Sequence, residues 1–314
     1  MSGGRSRRES LVRSLSRAFG CYRHRVRKLM AAICLAVVAL VPACSKNREP
    51  NSLFDAAGYH VRGDTVYYLH AFPGEAFEIV GADVASFEVL DGTYARDVST
   101  VYIDGRPLEG ADPASFELLD RPNFAKDAKH VFQRDQQVSD DPAHFELLDA
   151  DLAKDGAHVY WSDGTVLSDD PEHFVIVSHL DHYLFTRDDE TVHVNGVPIA
   201  GAIPASFRVL GGAYALDDHA VYYFADPIPD ADGASLEALA GPYARDATRA
   251  YWMGKPIPGA DADTFAVLNA NFECTADAVH AYYQDTEIAD AHPKSFPPGK
   301  AVTQCSATSI TFAE

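Results

Sequence analysis

Along most of the chain, short apolar runs alternate with brief polar stretches, and the runs come in three kinds. Phe116-Glu117-Leu118-Leu119 and Phe145-Glu146-Leu147-Leu148 alternate in side-chain character, the period-two pattern of a half-buried strand. Val101-Tyr102-Ile103, Val159-Tyr160-Trp161 and Val221-Tyr222-Tyr223 are β-branched and aromatic, which suits a second strand. Tyr94-Ala95-Arg96-Asp97 and Tyr243-Ala244-Arg245-Asp246 read as a third extended piece, each ending in a turn-forming Asp. Asp104-Gly105, Asp163-Gly164, Asn195-Gly196 and Met253-Gly254 follow the aromatic runs. Asx-Gly between apolar runs predicts a type I′ hairpin, because both central residues need positive φ. Pro107, Pro198, Pro227 and Pro256 then open a return segment. Asp112-Pro113-Ala114-Ser115 reads as a single helical turn capped by Asp or Ser. The predicted unit is three short strands and one turn of helix.

This unit recurs. Its anchors are Phe87, Phe116, Phe145, Phe174, Phe207, Leu236, Phe265 and Phe296, at spacings of 29, 29, 29, 33, 29, 29 and 31 residues. A segment of about thirty residues is too small to bury its own apolar face, so the copies must stack on their neighbours. The predicted fold class is therefore all-β: an array of about eight repeats over residues 53–296, β-solenoid-like or, if its ends meet, a propeller. The clearest copy, Ala244-Arg245-Asp246-Ala247-Thr248-Arg249-Ala250-Tyr251-Trp252-Met253-Gly254-Lys255-Pro256-Ile257-Pro258-Gly259-Ala260-Asp261, resembles the bacterial DKNYY repeat family. The resemblance implies a secreted or lipid-anchored protein and carries over no catalytic residues.

Charge then supplies an address. The chain has 26 Lys and Arg against 46 Asp and Glu, a net charge of −20. Nine of the cations and only one acid, Glu9, lie in residues 1–43, and fifteen uncharged residues follow Lys28. A basic lead, a short apolar core and small residues make a secretory signal peptide, and the core is short for a membrane span. Val41-Pro42-Ala43-Cys44 resembles the lipobox of bacterial lipoproteins, which implies cleavage before Cys44 and acylation of it. Ser45 in place of Asp resembles the outer-membrane sorting pattern. The expected organisation is a signal peptide (1–43), a lipidated Cys44 with a tether (44–52), the repeats (53–296) and a C-terminal tail (297–314). Without the lead, 17 cations face 45 acids, a net charge of −28. Nucleic acid is thereby excluded as a partner.

Candidate chemistry is sparse. His144 and His173 share one repeat position, and His130, His158 and His280 share another. No His-x-x-x-His or Cys-x-x-Cys spacing accompanies them, so the expectation is no metal and no cofactor. Asp97, Asp127, Asp155, Asp188, Asp217, Asp246 and Asp277 form a regular column, expected to accept from backbone N–H groups two or three residues on. Calcium is the rival reading. The best local string, Asp230-Ala231-Asp232-Gly233, fails as an EF-hand because Ile228 and Leu239 stand where acids are needed. There is no Gly-x-Ser-x-Gly, so no hydrolase elbow.

The largest irregularity is the four-residue surplus between Phe174 and Phe207, which makes His179, Asp181 and His182 the possible ligand site. Cys274 and Cys305 are expected to pair and clamp the C-terminal end. The sequence thus predicts a lipid-anchored envelope protein, not an enzyme. Its exposed Tyr and acidic columns would offer a face to a protein, peptide or glycan. The alternative is an envelope enzyme, or an accessory to one, with its site at the irregular fourth-to-fifth repeat.

Overall fold

The computed structural model describes residues 48–161 and 163–314; the signal peptide expected over 1–43 and the acylated Cys44 lie outside them. No helix of the described residues is long and apolar enough to cross a membrane. The protein is an all-β repeat array, and each copy is a small antiparallel sheet with its strands in sequential order. The described residues fall into two compact units. One runs to Ala128 and includes 134–136; the other comprises 129–133 and the chain from Gln137 onward.

In the first unit a three-stranded sheet (Gly58–Arg62, Thr65–Leu69, Ala76–Glu78) precedes a four-stranded one (Glu88–Val89, Tyr94–Arg96, Val101–Ile103, Arg106–Pro107). The copy therefore has four strands rather than the predicted three. The return segment opened by Pro107 pairs along the sheet edge, where a residue without an N–H is tolerated. Val66, Tyr68 and Ile79 of the first sheet pack against Ala95 and Tyr102 of the second, so the core lies between copies rather than within one.

The second unit repeats this arrangement. Phe185, Val192, Val194 and Ile199 share one core cluster with Phe207, Ala215 and Tyr222 of the following copy. Tyr214, Leu216, Val221 and Ile228 do the same with Ala244 and Tyr251, and Tyr243, Ala250 and Ile257 with Tyr282. The Tyr that opens the Tyr-Ala-Leu or Tyr-Ala-Arg strand also reaches forward. The Tyr214 hydroxyl donates to the Pro242 carbonyl and accepts from the Gly254 N–H; Tyr243 donates to the Glu273 carbonyl. Each clasp joins one copy to the hairpin of the next, some thirty to forty residues away.

The turns follow the sequence closely. Asp104-Gly105, Asn195-Gly196 and Met253-Gly254 all have both residues at positive φ, and Gly164 has positive φ as well. The predicted helical turn forms as a 3₁₀ turn at Pro204–Ser206 and Pro293–Ser295. Elsewhere the same place holds a single hydrogen-bonded turn, as from the Ser115 N–H to the Asp112 carbonyl. Within it the Asp side chain caps the Ala114 N–H.

The segment expected as a tail is ordered into a hairpin, Val302–Ser306 paired with Ser309–Phe312. It covers the last copy: Ile310 and Phe296 pack against Ala276, Ala281 and Ile288, and Asn269 Nδ2 donates to the Val302 carbonyl. Cys274 and Cys305 are joined by a disulfide. Cys274 stands at the position that Tyr214 and Tyr243 hold in earlier copies, so the bridge replaces the tyrosine clasp in the copy that the hairpin covers.

Candidate functional site

The polar residues that recur most regularly are consumed inside the fold. Asp97, Asp155, Asp188, Asp217, Asp246 and Asp277 are buried. One oxygen of Asp97 accepts from the Ser99 and Thr100 N–H groups at 2.8 Å each; the other accepts from the Asp83 N–H at 2.9 Å and the Tyr102 hydroxyl at 2.7 Å. Asp217, Asp246 and Asp277 have the same four kinds of donor. Burial alone would raise the pKa of Asp97 and Asp246, but these donors outweigh it and hold both down at about 2. Burial, and then the carboxylate each tyrosine serves, pushes Tyr102 and Tyr222 up to about 12.

These contacts correct the sequence reading in one respect. Tyr94, Tyr102, Tyr214, Tyr222, Tyr243, Tyr251 and Tyr282 are buried, as is the Asp column. The columns expected to offer a binding face are the internal framework of the stack.

The histidines of the first shared position are also accounted for. Ser115 Oγ donates to Asp112 Oδ2 three residues earlier, and His144 Nδ1 makes the equivalent contact with Asp141 at 2.8 Å. His179, Asp181 and His182 are exposed. The surplus of residues there is absorbed by a longer hairpin, Val175–Leu180 against Tyr183–Arg187, with a bulge between Ile176 and Ser178. Asp181 and His182 take the two positive-φ places at its tip, φ 51° and 70°, and His179 lies in the strand opposite Leu184. Asp181 and His182 thus turn the chain.

The same copy holds a different irregularity. A cleft of about 660 Å³ is lined by Ser168, Asp170, His173, Asp188, Asp189 and His193, among others. His193 occupies the place that Tyr102, Tyr160, Tyr222, Tyr251 and Tyr282 hold in other copies. Each of those tyrosines donates to its buried Asp; the shorter imidazole does not. Asp188 accepts from Ser168 Oγ at 2.6 Å, as Asp155 does from Ser139 Oγ beside Tyr160, and from Thr191 Oγ1 at 3.0 Å. On the cleft wall His173 Nδ1 lies 2.9 Å from Asp170 Oδ1 and 3.6 Å from Asp189 Oδ2. The Asp170 hydrogen bond, with the charges of Asp170 and Asp189, raises the His173 pKa. Burial lowers that of His193. The residues singled out from the sequence, His179, Asp181 and His182, belong to the same copy but are not among those that line the cleft. The signal available was Val192-His193-Val194, where the aromatic run loses its tyrosine.

Comparison with known proteins bears on the repeat. The DKNYY family profile matches residues 59–185 and 228–286, more than half of the chain. The chain belongs to the DKNYY family. The intervening stretch of this DKNYY protein, 186–227, includes Asp188, Asp189 and His193. No curated protein matches the chain. Among solved structures, the computationally designed Ika8 protein aligns over 85% of this chain and 98% of its own, at 11% identity and a TM-score of 0.19. A score that low carries no argument about the fold.

Proposed function

We propose that this DKNYY protein is a lipid-anchored component of a bacterial envelope, facing the periplasm from the outer membrane. In this reading it acts as a non-catalytic binding module for a protein, peptide or glycan. The repeats serve as a stiff scaffold, and the cleft around His193 serves as the binding site. One observation carries the assignment of the site: in the neighbouring copies the buried carboxylate and its tyrosine close on each other, whereas here the tyrosine is replaced and a cleft opens beside the carboxylate. Val41-Pro42-Ala43-Cys44 and the basic, apolar lead before it support the anchor. Two acyl chains or more hold a protein stably at a membrane, which one does not.

Two experiments test the reading. Cys44→Ser is expected to abolish incorporation of labelled palmitate and to move the protein from the membrane to the soluble envelope fraction; a variant that stays acylated and membrane-bound refutes the anchor. A photo-crosslinking residue at Glu190, on the cleft rim, is expected to capture an envelope component in cells, and His193→Tyr is expected to lose it. The same capture with and without that substitution refutes the cleft as the binding site.

A further inference from the structure

Three departures from the repeat coincide in the cleft copy, and together they collect donors of one kind. At the position after the buried Asp, Val98, Ala128, Gly156, Ala247 and Ala278 stand in other copies; here it is Asp189. At the position directly before the anchor residue, where Ser86, Ser115 and Ser235 stand in other copies, it is His173. At the tyrosine position stands His193. His144 and Asp218 show that two of these changes occur singly elsewhere, but only here do all three meet. One donor atom each from Asp170, His173 and Asp189 lies within 4.8 Å of the other two. His193 lines the same cleft with its ring free of any hydrogen bond among the described residues.

The strand beside His193 carries a buried hydroxyl. Thr186 is 1% exposed, and its Oγ1 has no partner. It is the cross-strand partner of His193, so the two side chains share a face of the sheet. Ala95, Ala125, Ala153, Ala215 and Ala244 fill this place in other copies, and in the last copy Thr275 does, its Oγ1 likewise buried without a partner.

We propose that Asp170, His173 and Asp189, with His193 lining the same cleft, form a site for a divalent first-row metal ion of the zinc type. Mixed imidazole and carboxylate donors suit such an ion, whereas calcium takes six to eight oxygens and gains nothing from the imidazoles. The charge fits as well: acids crowd the cleft, and the side chains on its wall that can carry positive charge are the two histidines. The proposal rests on reading this cleft as the binding site, and it names the ion that would organise it.

The test uses the full-length protein, purified from membranes in detergent, stripped with a chelator and titrated with zinc against a fluorescent indicator. One equivalent per chain is expected. His193→Tyr and His173→Ser restore residues that other copies carry, so both variants should melt near the wild-type temperature while binding zinc about tenfold or more weakly. Asp189→Val, which places the residue found at Val98, is the second line should either variant unfold, with the same expected loss. His144→Ser, the same change one repeat earlier, should leave the affinity unchanged, and calcium should not compete. Absence of stoichiometric zinc binding overturns the metal site, as does wild-type affinity in the His173→Ser/His193→Tyr double variant. If zinc binding is absent while crosslinking through Glu190 still depends on His193, the metal fails and the binding cleft stands; loss of both removes both.

Discussion

A carboxylate buried to the degree of Asp97 or Asp246 stays ionised only where protein donors replace the water it has lost. Here the turn supplies two backbone N–H groups and the adjoining strand supplies a tyrosine, so the Asp and Tyr columns work as one device. Removing the hydroxyl in Tyr251→Phe leaves Asp246 one donor short and is expected to destabilise the fold by about 1–3 kcal/mol, measured by urea unfolding. The sign of the pH dependence follows from the shifts. Asp97 and Asp246 lie below the ordinary 3.8, at about 2, so their contribution is present above pH 4 and is lost as the pH falls from 4 to 2. Tyr102 and Tyr222 lie above the ordinary 10, at about 12, so their contribution holds below pH 10 and is lost between 10 and 12. Thermal melting across pH should therefore show a plateau with steep losses at both ends. A midpoint that already falls between pH 7 and 9 would contradict the tyrosine assignment.

At the scale of the element, the hairpin turn is what fits one copy to the previous one. Gly254 sits at φ 76°, and a Cβ there would come within 2.6 Å of the Tyr223 Cβ. Gly254→Ala adds backbone strain to a clash with a packed side chain and is expected to cost about 2–4 kcal/mol. Gly259 has nearly the same φ, 78°, with nothing within 4 Å of the added atom; its Ala variant should lose only about 1 kcal/mol, from strain alone. Comparing the two unfolding curves separates packing from conformation. The Asp104-Gly105 and Asn195-Gly196 turns were legible beforehand because Asx-Gly encodes its own φ angles; at Met253-Gly254 the glycine alone was the signal. The surplus between Phe174 and Phe207 was legible only as extra length. Whether four residues extend a hairpin or build a pocket depends on which strands they pair with, and the residues themselves do not state that.

For the whole molecule, the ends matter most, since an array buries its core between copies and its last copy lacks a neighbour. The hairpin Val302–Ser306/Ser309–Phe312 covers that face, and the Cys274–Cys305 bridge, 31 residues apart in sequence, fastens it. Replacing both cysteines by Ser is expected to cost about 3–4 kcal/mol on the chain-entropy argument and to expose Ile288 and Val302 to exchange first. Calorimetry with hydrogen exchange checks this; a uniform loss of protection across residues 137–314 would mean that the bridge does not act locally.

The repeat, its all-β character, its turns and its acidic surplus follow from the sequence alone, because periodicity, β-branched runs and Asx-Gly pairs act over a few residues. The thirty-residue beat also identified the family. Only the tertiary structure decided which side of each strand faces a neighbour. That decision turned the expected Tyr and Asp binding face inward, closed the tail over the last copy and opened a cleft where His193 replaces a tyrosine. The reason is physical: a side chain's alternation along a strand tells that it has two faces, and only the next copy, docked some thirty residues later, determines which of them is wet.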